Sequence, residues 1–355
     1  MRRLGSIWDQ VISFENLLLS YRKARLGKKS RNEVANFSLN LEQNLLALQQ
    51  SLLEGSYQPG AYRLFTIYER KPRLISAAPF IDRIVQHAIM NLLEPALDKT
   101  FIFDSYACRR GKGVHAAVER YQHWSKRYYY VLKIDIEKYF ASIDQQILKE
   151  KLRKRVKDKN LLALLDVIID TGPAQQSPMV WYPDDDLLTP LYRTKGIPIG
   201  NLTSQFFANL YLDDFDHFVK EQLRMKAYLR YVDDMVLLAD NKVLLTDVKA
   251  KIDERLALDR IRLHPNKVQI SCCKDGLNLL GYMVYPGYRR LRPDNGHRFA
   301  RRLKKYARLY SEGKINMSDI QSSVASWIGH ACHADTEGLR RAIFWRTVFK
   351  RGMGQ

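Results

Sequence analysis

The sequence predicts an α+β fold, in which an antiparallel sheet carries helices on one face and a basic helical segment follows the sheet. Three observations indicate this fold. A β-prone run at residues 128–134 is followed by two helical segments. A predicted β-hairpin with two adjacent acids, residues 226–240, is followed by a further helix and by a strand segment. Finally, residues 289–308 combine nine Lys or Arg and a single acid with apolar residues at helical spacing.

Length, charge and cysteine content narrow the classes of function. A chain of 355 residues can bury a large core and is expected to divide into two or three subdomains. The net charge of +20 predicts a polyanionic partner, with nucleic acid ahead of a membrane surface. No run of 18 apolar residues is present and the N-terminus lacks a signal-peptide pattern, so no membrane is expected. The four cysteines form no Cys-x-x-Cys pair and are expected to be reduced thiols in a cytoplasmic protein.

The first third of the chain alternates between helical and extended patterns. Residues 32–55 have apolar residues at steps of three and four, which predicts one amphipathic helix that stops at Gly55. Short extended pieces punctuated by prolines follow. Residues 80–93 then predict a second helix, which should end before Pro95. A basic, glycine-containing loop leads into a helix from about Gly113.

The central block contains the strand, helix and hairpin patterns from which the sheet is predicted. The run 128–134 is continuously β-prone, as in a strand buried on both faces, and Asp135 stands at its end. Glycine and proline residues at 196–200 precede a long helix, and the acidic hairpin comes directly after that helix. The remaining predicted elements are helices at 145–156, 160–169 and 241–258 and a pair of strands within 261–272.

The C-terminal region is predicted to be helical and basic. Phe299, Leu303 and Tyr306 mark the apolar stripe of an amphipathic helix whose outer face is very basic. Two further helical segments follow, at 317–335 and 337–350. Such a tail is either a solvated surface or a surface that holds a nucleic-acid backbone, and the net charge favours the second interpretation.

Two adjacent acids, Asp233 and Asp234, lie at the predicted hairpin turn. Two unit charges about 4 Å apart repel by roughly 4 kcal/mol at an effective dielectric near 20, so such a pair is usually held by a hard divalent ion. For an isolated pair, a solvated turn is the more ordinary interpretation. Asp135 changes this balance, because a strand beside the hairpin would bring the three carboxylates together. Two divalent ions bound there could stabilise both the attacking and the leaving oxygen of a phosphoryl transfer, and Mg²⁺ is the natural ion.

Seven blocks of the sequence, in the same order, resemble the motifs of reverse transcriptases over about residues 60–290. RKPRLISAAPFIDRIVQHAI and DSYACRRGKGVHAA resemble the fingers of bacterial and group II intron-like enzymes. KIDIEKYFASID, GIPIGNLTSQFFANLYL, YVDD and LHPNKVQI resemble four successive palm motifs, and LLGYMVY resembles the primer-grip motif. The resemblance implies a right-hand polymerase fold with fingers, palm and a basic α-helical thumb. The activity that it implies is RNA-directed DNA polymerisation, a nucleotidyl transfer.

The resemblance also implies a division of the chain into domains. An N-terminal helical extension would occupy residues 1–60, and the fingers would occupy residues 61–127. The palm would comprise residues 128–288, with elements of the fingers inserted around 145–198. The basic helical thumb would comprise residues 289–355.

The same resemblance assigns roles to individual residues. Asp135, Asp233 and Asp234 would be catalytic and would hold two Mg²⁺ ions, for which Mn²⁺ is a substitute, with help from the carbonyl of Ile136. An aromatic ring at Phe140 matches the sugar gate that selects deoxynucleotides by clashing with a ribose 2′-hydroxyl. The incoming deoxynucleoside triphosphate would also meet Lys71, Arg73, Lys138, Tyr139, Ile199, Gly200, Gln205 and Lys267, and the primer grip would comprise Leu280, Gly281 and Tyr282.

The second palm motif resembles that of the reverse transcriptases of diversity-generating retroelements. Most bacterial relatives carry Pro-Gln-Gly there, whereas this chain has Pro198-Ile199-Gly200, followed by Ser204-Gln205. That group copies a template-repeat RNA with frequent errors opposite adenine, and the cDNA diversifies a target gene by mutagenic retrohoming. Ile199 cannot make a hydrogen bond that a Gln could make, and losing about 1 kcal/mol would reduce discrimination several-fold. The group also works with a small, basic, helical accessory protein that forms a homopentamer.

Several alternatives stay open at the level of the sequence. A retron, intron-encoded or defence-type reverse transcriptase would share the palm motifs, although the missing Pro-Gln-Gly argues against an ordinary intron enzyme. A non-catalytic RNA-binding protein on a degenerate palm is a second alternative, and the intact acids argue against it. At single positions, Arg73 could be a surface cation, Phe140 a core residue and Ile199 a packing choice. The basic tail and residues 149–159 are candidate surfaces for RNA or for a protein partner.

Overall fold

The computed structural model describes residues 3–68, 72–172, 180–182 and 185–351. Helices predominate in these ranges, and they surround three small antiparallel sheets. No helix in the described part of the chain is both long enough and apolar enough to cross a membrane.

The secondary structure agrees with an α+β fold. The α-helices are α1 (Trp8–Val11), α2 (Phe14–Ala24), α3 (Asn32–Leu39), α4 (Leu41–Leu53), α5 (Phe80–Leu97), α6 (Val114–Ser125), α7 (Tyr139–Ser142), α8 (Gln145–Arg155), α9 (Lys159–Asp170), α10 (Thr189–Tyr192), α11 (Leu202–Tyr211), α12 (Asp213–His217), α13 (Lys242–Leu258), α14 (Pro293–Ser311), α15 (Met317–Ala331) and α16 (Glu337–Trp345). The strands are β1 (Arg63–Tyr68), β2 (Pro72–Ala77), β3 (Tyr130–Asp135), β4 (Tyr228–Tyr231), β5 (Asp234–Ala239), β6 (Gln269–Cys272), β7 (Leu277–Leu279), β8 (Tyr282–Val284) and β9 (Arg289–Leu291). Short 3-10 helices occur at Asp98–Thr100 and Cys273–Asp275, and a π-helical turn occurs at Phe218–Gln222.

The largest sheet has four strands in the order β4-β5-β3-β6, and every neighbouring pair is antiparallel. This confirms the predicted antiparallel sheet and the predicted hairpin of β4 and β5. Strand β3 lies inside the sheet, between β5 and β6, and it has buried apolar side chains on both faces. Leu132 and Ile134 belong to one hydrophobic core, and Val131 belongs to another. After β5, Asn241 caps α13 by accepting two amide hydrogen bonds from the first turn, which directs the chain back over the sheet.

Hydrophobic cores lie on both sides of this sheet, so the prediction of helices on only one face is wrong. On one side, Leu132 and Leu237 belong to a core that includes α5, α11 and α13. On the other side, Val131 and Val236 belong to a core that includes α6, the small sheet β7-β8-β9 and the C-terminal helices. Alternation within a strand shows that a face is buried, but it does not show which distant segments cover that face.

Two helix predictions also differ from the structure. Residues 32–55 form two helices, α3 and α4, because Asn40 leaves the helical conformation between them with φ −120° and ψ 49°. Helix α5 continues through Pro95 to its end at Leu97. Leu93 and Leu97 are both buried one turn apart, so packing of this face outweighs the one hydrogen bond that a proline removes near a helix end.

The segment 261–272 contains one strand, β6, instead of the predicted pair. Pro265 lies in the first half of the segment and cannot donate a backbone hydrogen bond to a sheet. That first half instead forms an isolated antiparallel bridge between Leu263 and Ile136. The bridge holds the loop before β6 against the acidic end of β3.

The C-terminal helices confirm the helical prediction for the basic tail. In α14, Phe299 and Leu303 are buried, whereas Arg301 and Arg302 are exposed. Phe299 stacks on Trp327 of α15 with ring centroids 4.0 Å apart. The amphipathic pattern therefore joins this region to the second core and leaves its basic face in water.

Candidate active site

Three acidic side chains meet at one end of the four-stranded sheet. Asp135 is the last residue of β3, and the antiparallel register places it directly opposite Asp234, the first residue of β5. Opposed residues of an antiparallel pair point to the same face, with Cβ atoms about 5 Å apart. Tyr231 pairs with Asp234 across the hairpin, so Asp233 lies in the two-residue turn beside them. The structure thus brings together the three acids that the sequence singled out.

The turn between β4 and β5 is strained. Val232, its first residue, has a φ of 55°, in the left-handed region that β-branched residues seldom adopt. A two-residue hairpin needs a positive φ at this position to match the twist of its strands. Such a conformation costs on the order of 1–3 kcal/mol and persists only where neighbouring contacts impose it.

Burial and mutual repulsion make the ionised forms of these acids costly. Burial, followed by the charges of Asp234 and Asp135, raises the pKa of Asp233 to about 6. Burial also raises the pKa of Asp234, although the ammonium group of Lys133 opposes that rise. At neutral pH the turn therefore holds negative charge that a bound cation would stabilise.

Two lysine ammonium groups lie against the acids. Lys267 Nζ is 2.9 Å from each carboxylate oxygen of Asp135. Lys133 Nζ lies 3.4 Å from Asp234 Oδ1 and donates to the carbonyl of Asn278 on β7, 2.8 Å away. Sequence reasoning selected Lys267 but missed Lys133. The available signal was the two-residue spacing from Lys133 to Asp135, which places both side chains on one face of β3.

The donor set fits a hard, oxygen-binding divalent cation. Three carboxylates converge on one end of the sheet, and carboxylates are ligands that Mg²⁺ accepts in proteins. As they stand, no three Asp, Glu, His or Cys side chains in the described ranges are grouped closely enough to hold a metal ion. In the present arrangement Lys267 engages Asp135 and Lys133 engages Asp234. Metal binding would require these ammonium groups to release carboxylate oxygens.

Ile136, whose carbonyl is the fourth predicted metal ligand, follows the acid at the end of β3. Its side chain is buried. The bridge to Leu263 uses the carbonyl of Asp135 and the amide of Glu137, which bond to the neighbouring loop at 2.8 and 3.0 Å. The carbonyl of Ile136 does not take part in that bridge, so the predicted role stays compatible with the backbone.

Residues 138–140 carry predicted nucleotide contacts. Lys138 is exposed and adopts a left-handed conformation with φ 46°. Tyr139 is buried, and its hydroxyl donates to the carbonyl of Ala208. Its side chain is thus engaged in the core, and only its backbone can take the predicted role. Phe140 is half-buried and packs against the core that contains Leu132 and Ile134, so part of this residue stays accessible to solvent.

The segment around Ile199 lies against the β1–β2 hairpin. Ser76 of β2 donates its amide hydrogen to the carbonyl of Ile199 at 2.8 Å. Gly200 has a φ of 124°, and a Cβ there would lie 2.9 Å from the Ser76 carbonyl oxygen, so glycine is required. Gln205 is exposed on α11, with its amide oxygen 3.5 Å from the thiol of Cys108. Ile199 and Gly200 therefore lie against the hairpin, whereas the contact of Gln205 is with Cys108.

Two predicted phosphate contacts belong to that same hairpin. Arg73 is exposed on β2, directly opposite Ile67 of β1. Lys71 lies outside the described residues and stays a prediction. The structure thus places Arg73 on the strand that contacts the Ile199 segment.

The predicted primer grip is a second tight hairpin. Leu280 and Gly281 connect β7 to β8, and both have positive φ values, 48° and 97°, as a type I′ turn requires. Tyr282 is buried, and its hydroxyl donates to the carbonyl of His330 on α15 at 2.8 Å. Because β7 also accepts the hydrogen bond of Lys133, a single lysine joins this hairpin to the acids.

A buried arginine beneath the acidic turn was not foreseen from the sequence. Arg230 of β4 is fully buried and forms an ion pair with the equally buried Asp216 of α12, at 2.7 Å. Arginine is expected at the surface unless it is paired, and the pairing partner lies 14 residues away in the chain. The only signal was a charged residue within an otherwise apolar strand.

Comparison with known proteins identifies what this arrangement resembles. The family model described as reverse transcriptase (RNA-dependent DNA polymerase) matches residues 66–284, which run from β1 to the end of β8. Protein YkfC of Escherichia coli (strain K12) is 25% identical over 285 residues, which cover 68% of this chain and 71% of that protein.

Other relatives are named as intron proteins. Group II intron-encoded protein LtrA of Lactococcus lactis subsp. cremoris is 26% identical over 189 residues, which cover 52% of this chain and 29% of that protein. Nuclear intron maturase 2, mitochondrial, of Arabidopsis thaliana is 28% identical over 172 residues, which cover 43% of this chain and 23% of that protein. The match therefore spans less than a third of each of these two relatives.

Proposed function

The chain belongs to the reverse transcriptase (RNA-dependent DNA polymerase) family, and we propose that it polymerises DNA on an RNA template at Asp135, Asp233 and Asp234. One observation carries the proposal. The register of β3 against β5 sets Asp135 directly opposite Asp234, and the two-residue turn places Asp233 beside both. Three carboxylates that converge on one end of a sheet are the ligand set that two-metal phosphoryl transfer needs.

We assign the metal site to these three acids, with the carbonyl of Ile136 as an additional ligand. Two bound Mg²⁺ ions, or Mn²⁺ in their place, would stabilise the attacking and leaving oxygens of nucleotidyl transfer. The charge that now attracts Lys267 and Lys133 would then be neutralised by the ions. Lys267, released from Asp135, would be free to contact the phosphates of the incoming nucleotide.

The nucleotide would lie between the acids and the β1–β2 hairpin. Arg73 would contact the triphosphate, because a planar guanidinium matches phosphate oxygens in a bidentate manner. Phe140 follows Asp135 by five residues and stays partly accessible to solvent. In our proposal its ring excludes the 2′-hydroxyl of a ribonucleotide, which makes deoxynucleoside triphosphates the substrates.

At a finer level, we propose that the enzyme belongs to a diversity-generating retroelement and makes adenine-directed errors. The support is Ile199, where most bacterial relatives carry Gln. Its backbone is fixed by Ser76, and its neighbour Gly200 admits no side chain, so position 199 is held in place next to the hairpin. An apolar side chain there offers no hydrogen bond to the nucleotide or template, which lowers discrimination between bases.

The proposed partners are a template-repeat RNA, its cDNA and a small, basic, helical accessory protein that forms a homopentamer. Two basic surfaces were candidates for these contacts. In the segment 149–159, four cations are already engaged by acids of this chain. The ion pairs are Lys149–Asp170, Lys151–Asp259, Arg153–Asp166 and Arg155–Asp213. We therefore propose that the exposed cations of α14 bind the RNA. As part of a thumb, they would contact the phosphate backbone of the RNA.

A primer-extension assay with Mg²⁺ on an adenine-containing RNA template tests the polymerase. The wild type should extend the primer, and Asp233→Ala/Asp234→Ala should not, because both metal ligands are lost. RNA binding should be retained in the double variant. A double variant that still makes cDNA would refute the assignment of the site. RNA binding without extension by the wild type, in the presence of native RNA and accessory protein, would favour a non-catalytic protein.

Sequencing of the extension products tests the finer proposal. The wild type should place its errors mainly at template adenines, and Ile199→Gln should reduce them several-fold. The matched control is Ile81→Gln on α5, which makes the same exchange at an exposed isoleucine, outside the residues proposed to contact the nucleotide. Faithful extension by the wild type would support the polymerase function but refute the diversity-generating assignment. A retron, intron-encoded or defence-type enzyme would then be the remaining interpretation. The relatives named as intron proteins would then favour the intron-encoded alternative.

A further inference from the structure

We propose that Arg230 is a positioning residue, which holds the strained turn at Val232 and thereby directs Asp233 and Asp234. The importance of Arg230 for catalysis rests on the proposed polymerase function. The evidence for its positioning role is the geometry beneath the hairpin, which does not depend on the reaction.

The guanidinium of Arg230 has hydrogen-bond partners in three elements. Nε donates to Asp216 Oδ1 at 2.8 Å and Nη2 donates to Oδ2 at 2.7 Å. The hydroxyl of Tyr228 donates to the same carboxylate at 2.6 Å. Nη1 donates to the side-chain oxygen of Asn209 at 3.2 Å and to the carbonyl of Val232 at 3.1 Å. One rigid, planar group thus joins helices α11 and α12 to the turn.

The backbone of Arg230 is also fixed. Its amide donates to the carbonyl of Asp104 at 3.0 Å, and its carbonyl accepts from the amide of Tyr106 at 2.9 Å. Residues 104–106 therefore cover the outer edge of β4 at this point. With its backbone and its guanidinium both held, Arg230 presents Nη1 to the turn from a defined position.

The acceptor of that hydrogen bond is the residue whose backbone is strained. A β-branched residue with φ 55° returns to an extended conformation unless its surroundings prevent this. The hydrogen bond from Arg230 fixes the carbonyl of Val232, and hence the orientation of the peptide that leads into Asp233. Rotation of that peptide would move the Asp233 carboxylate away from Asp135. A displacement of about 1 Å at a catalytic group reduces rate on the order of 100-fold.

Arg230→Lys tests this role, because lysine keeps the positive charge opposite Asp216 but loses the planar set of donors. Tyr228→Phe is the matched control, since it removes one hydrogen bond to the same carboxylate without touching the turn. Four quantities are measured: the Tm, the Mn²⁺ affinity by electron paramagnetic resonance, and kcat and KM for primer extension. Arg230→Lys should weaken Mn²⁺ binding and lower kcat by about tenfold or more, with KM for the nucleotide within about twofold. Tyr228→Phe should lower the Tm and leave the Mn²⁺ affinity, kcat and KM within about twofold of the wild type.

A second variant covers the case in which Arg230→Lys does not fold. Arg230→Met/Asp216→Leu replaces the buried ion pair by apolar side chains, an exchange that is often neutral for stability. It should fold and show the same loss of Mn²⁺ affinity. Wild-type Mn²⁺ affinity in either Arg230 variant would overturn the proposal, and so would a wild type that binds no Mn²⁺. If the wild type binds Mn²⁺ but extends no primer, the polymerase function fails while the effect of Arg230 on the ion site is still measured.

Discussion

Replacing Asp233 by Asn should stabilise the metal-free protein at pH 8. Burial and the neighbouring acids raise the pKa of Asp233 from 3.8 to about 6. Because each tenfold change in a protonation equilibrium corresponds to about 1.4 kcal/mol, the ionised carboxylate costs the folded state about 3 kcal/mol well above pH 6. The turn is partly open to solvent, which screens this charge, and we expect a gain in unfolding free energy of about 1–2 kcal/mol.

The unfolded chain releases the proton of Asp233 at lower pH than the folded protein does. Below about pH 4 the carboxyl group is protonated in both states and carries no penalty. As the pH rises from 4 towards 6, the unfolded state is favoured increasingly, and above 6 the penalty is constant. Asn avoids the penalty at every pH. The stabilising effect of Asp233→Asn should therefore be absent near pH 4 and should develop between pH 4 and 6.

Urea unfolding in the presence of EDTA, near pH 4 and at pH 8, measures this effect. Asp253→Asn, which neutralises an exposed acid on α13, controls for the change in net charge. Added Mg²⁺ should stabilise the wild type at pH 8 by mass action and should stabilise Asp233→Asn much less. A variant no more stable than the wild type at pH 8, or equally stabilised near pH 4, would refute the reasoning. A gain matched by Asp253→Asn would refute it as well.

Two further substitutions test the surroundings of the acids. Lys133→Gln removes the ammonium group that opposes the rise in the pKa of Asp234, so the acidic limb of the pH–rate profile for primer extension should move to higher pH. A limb that stays in place would show that Lys133 does not act on Asp234. Phe140→Ala opens the proposed sugar gate, so the ratio of ribonucleotide to deoxynucleotide incorporation should rise by about tenfold or more, as one removed steric contact allows. An unchanged ratio in the same extension assay would show that Phe140 is a core residue only.

The convergence of the three acids could be predicted from the sequence, because few sheet arrangements are compatible with the patterns of the strand and the hairpin. A β-prone run that ends in Asp135 and a two-residue turn that contains Asp233 both place carboxylates at strand ends. An antiparallel sheet then brings those ends to the same edge. The resemblance to reverse transcriptases supplied the roles, and the family comparison confirms the family itself.

Long-range partners could not be predicted from local patterns. Arg230 can be buried because Asp216 and Asn209, on helices α12 and α11, pack against the hairpin and bind its guanidinium. No rule of residue spacing predicts that these helices pack there. The contact of Lys133 with β7 has the same origin, since 145 residues separate the two partners. The second core was missed for a related reason. The helices that form this core with the sheet are α6, which precedes the sheet in the chain, and the C-terminal helices α14 to α16, which the sequence suggested were an independent tail.

The four-stranded sheet separates two hydrophobic cores and contributes side chains to both. This arrangement limits how the protein can be divided into independently folding parts. Val131 and Val236 are covered by a core that extends into the C-terminal helices, while Leu132 and Leu237 face the other core. Removal of residues 289–351 would expose apolar surface on the same face of β3 and β5 from which Asp135 and Asp234 project. The region around the acids is therefore not a separable module, and a mutation deep in the C-terminal helices is expected to disturb the acids by loosening the packing against β3 and β5.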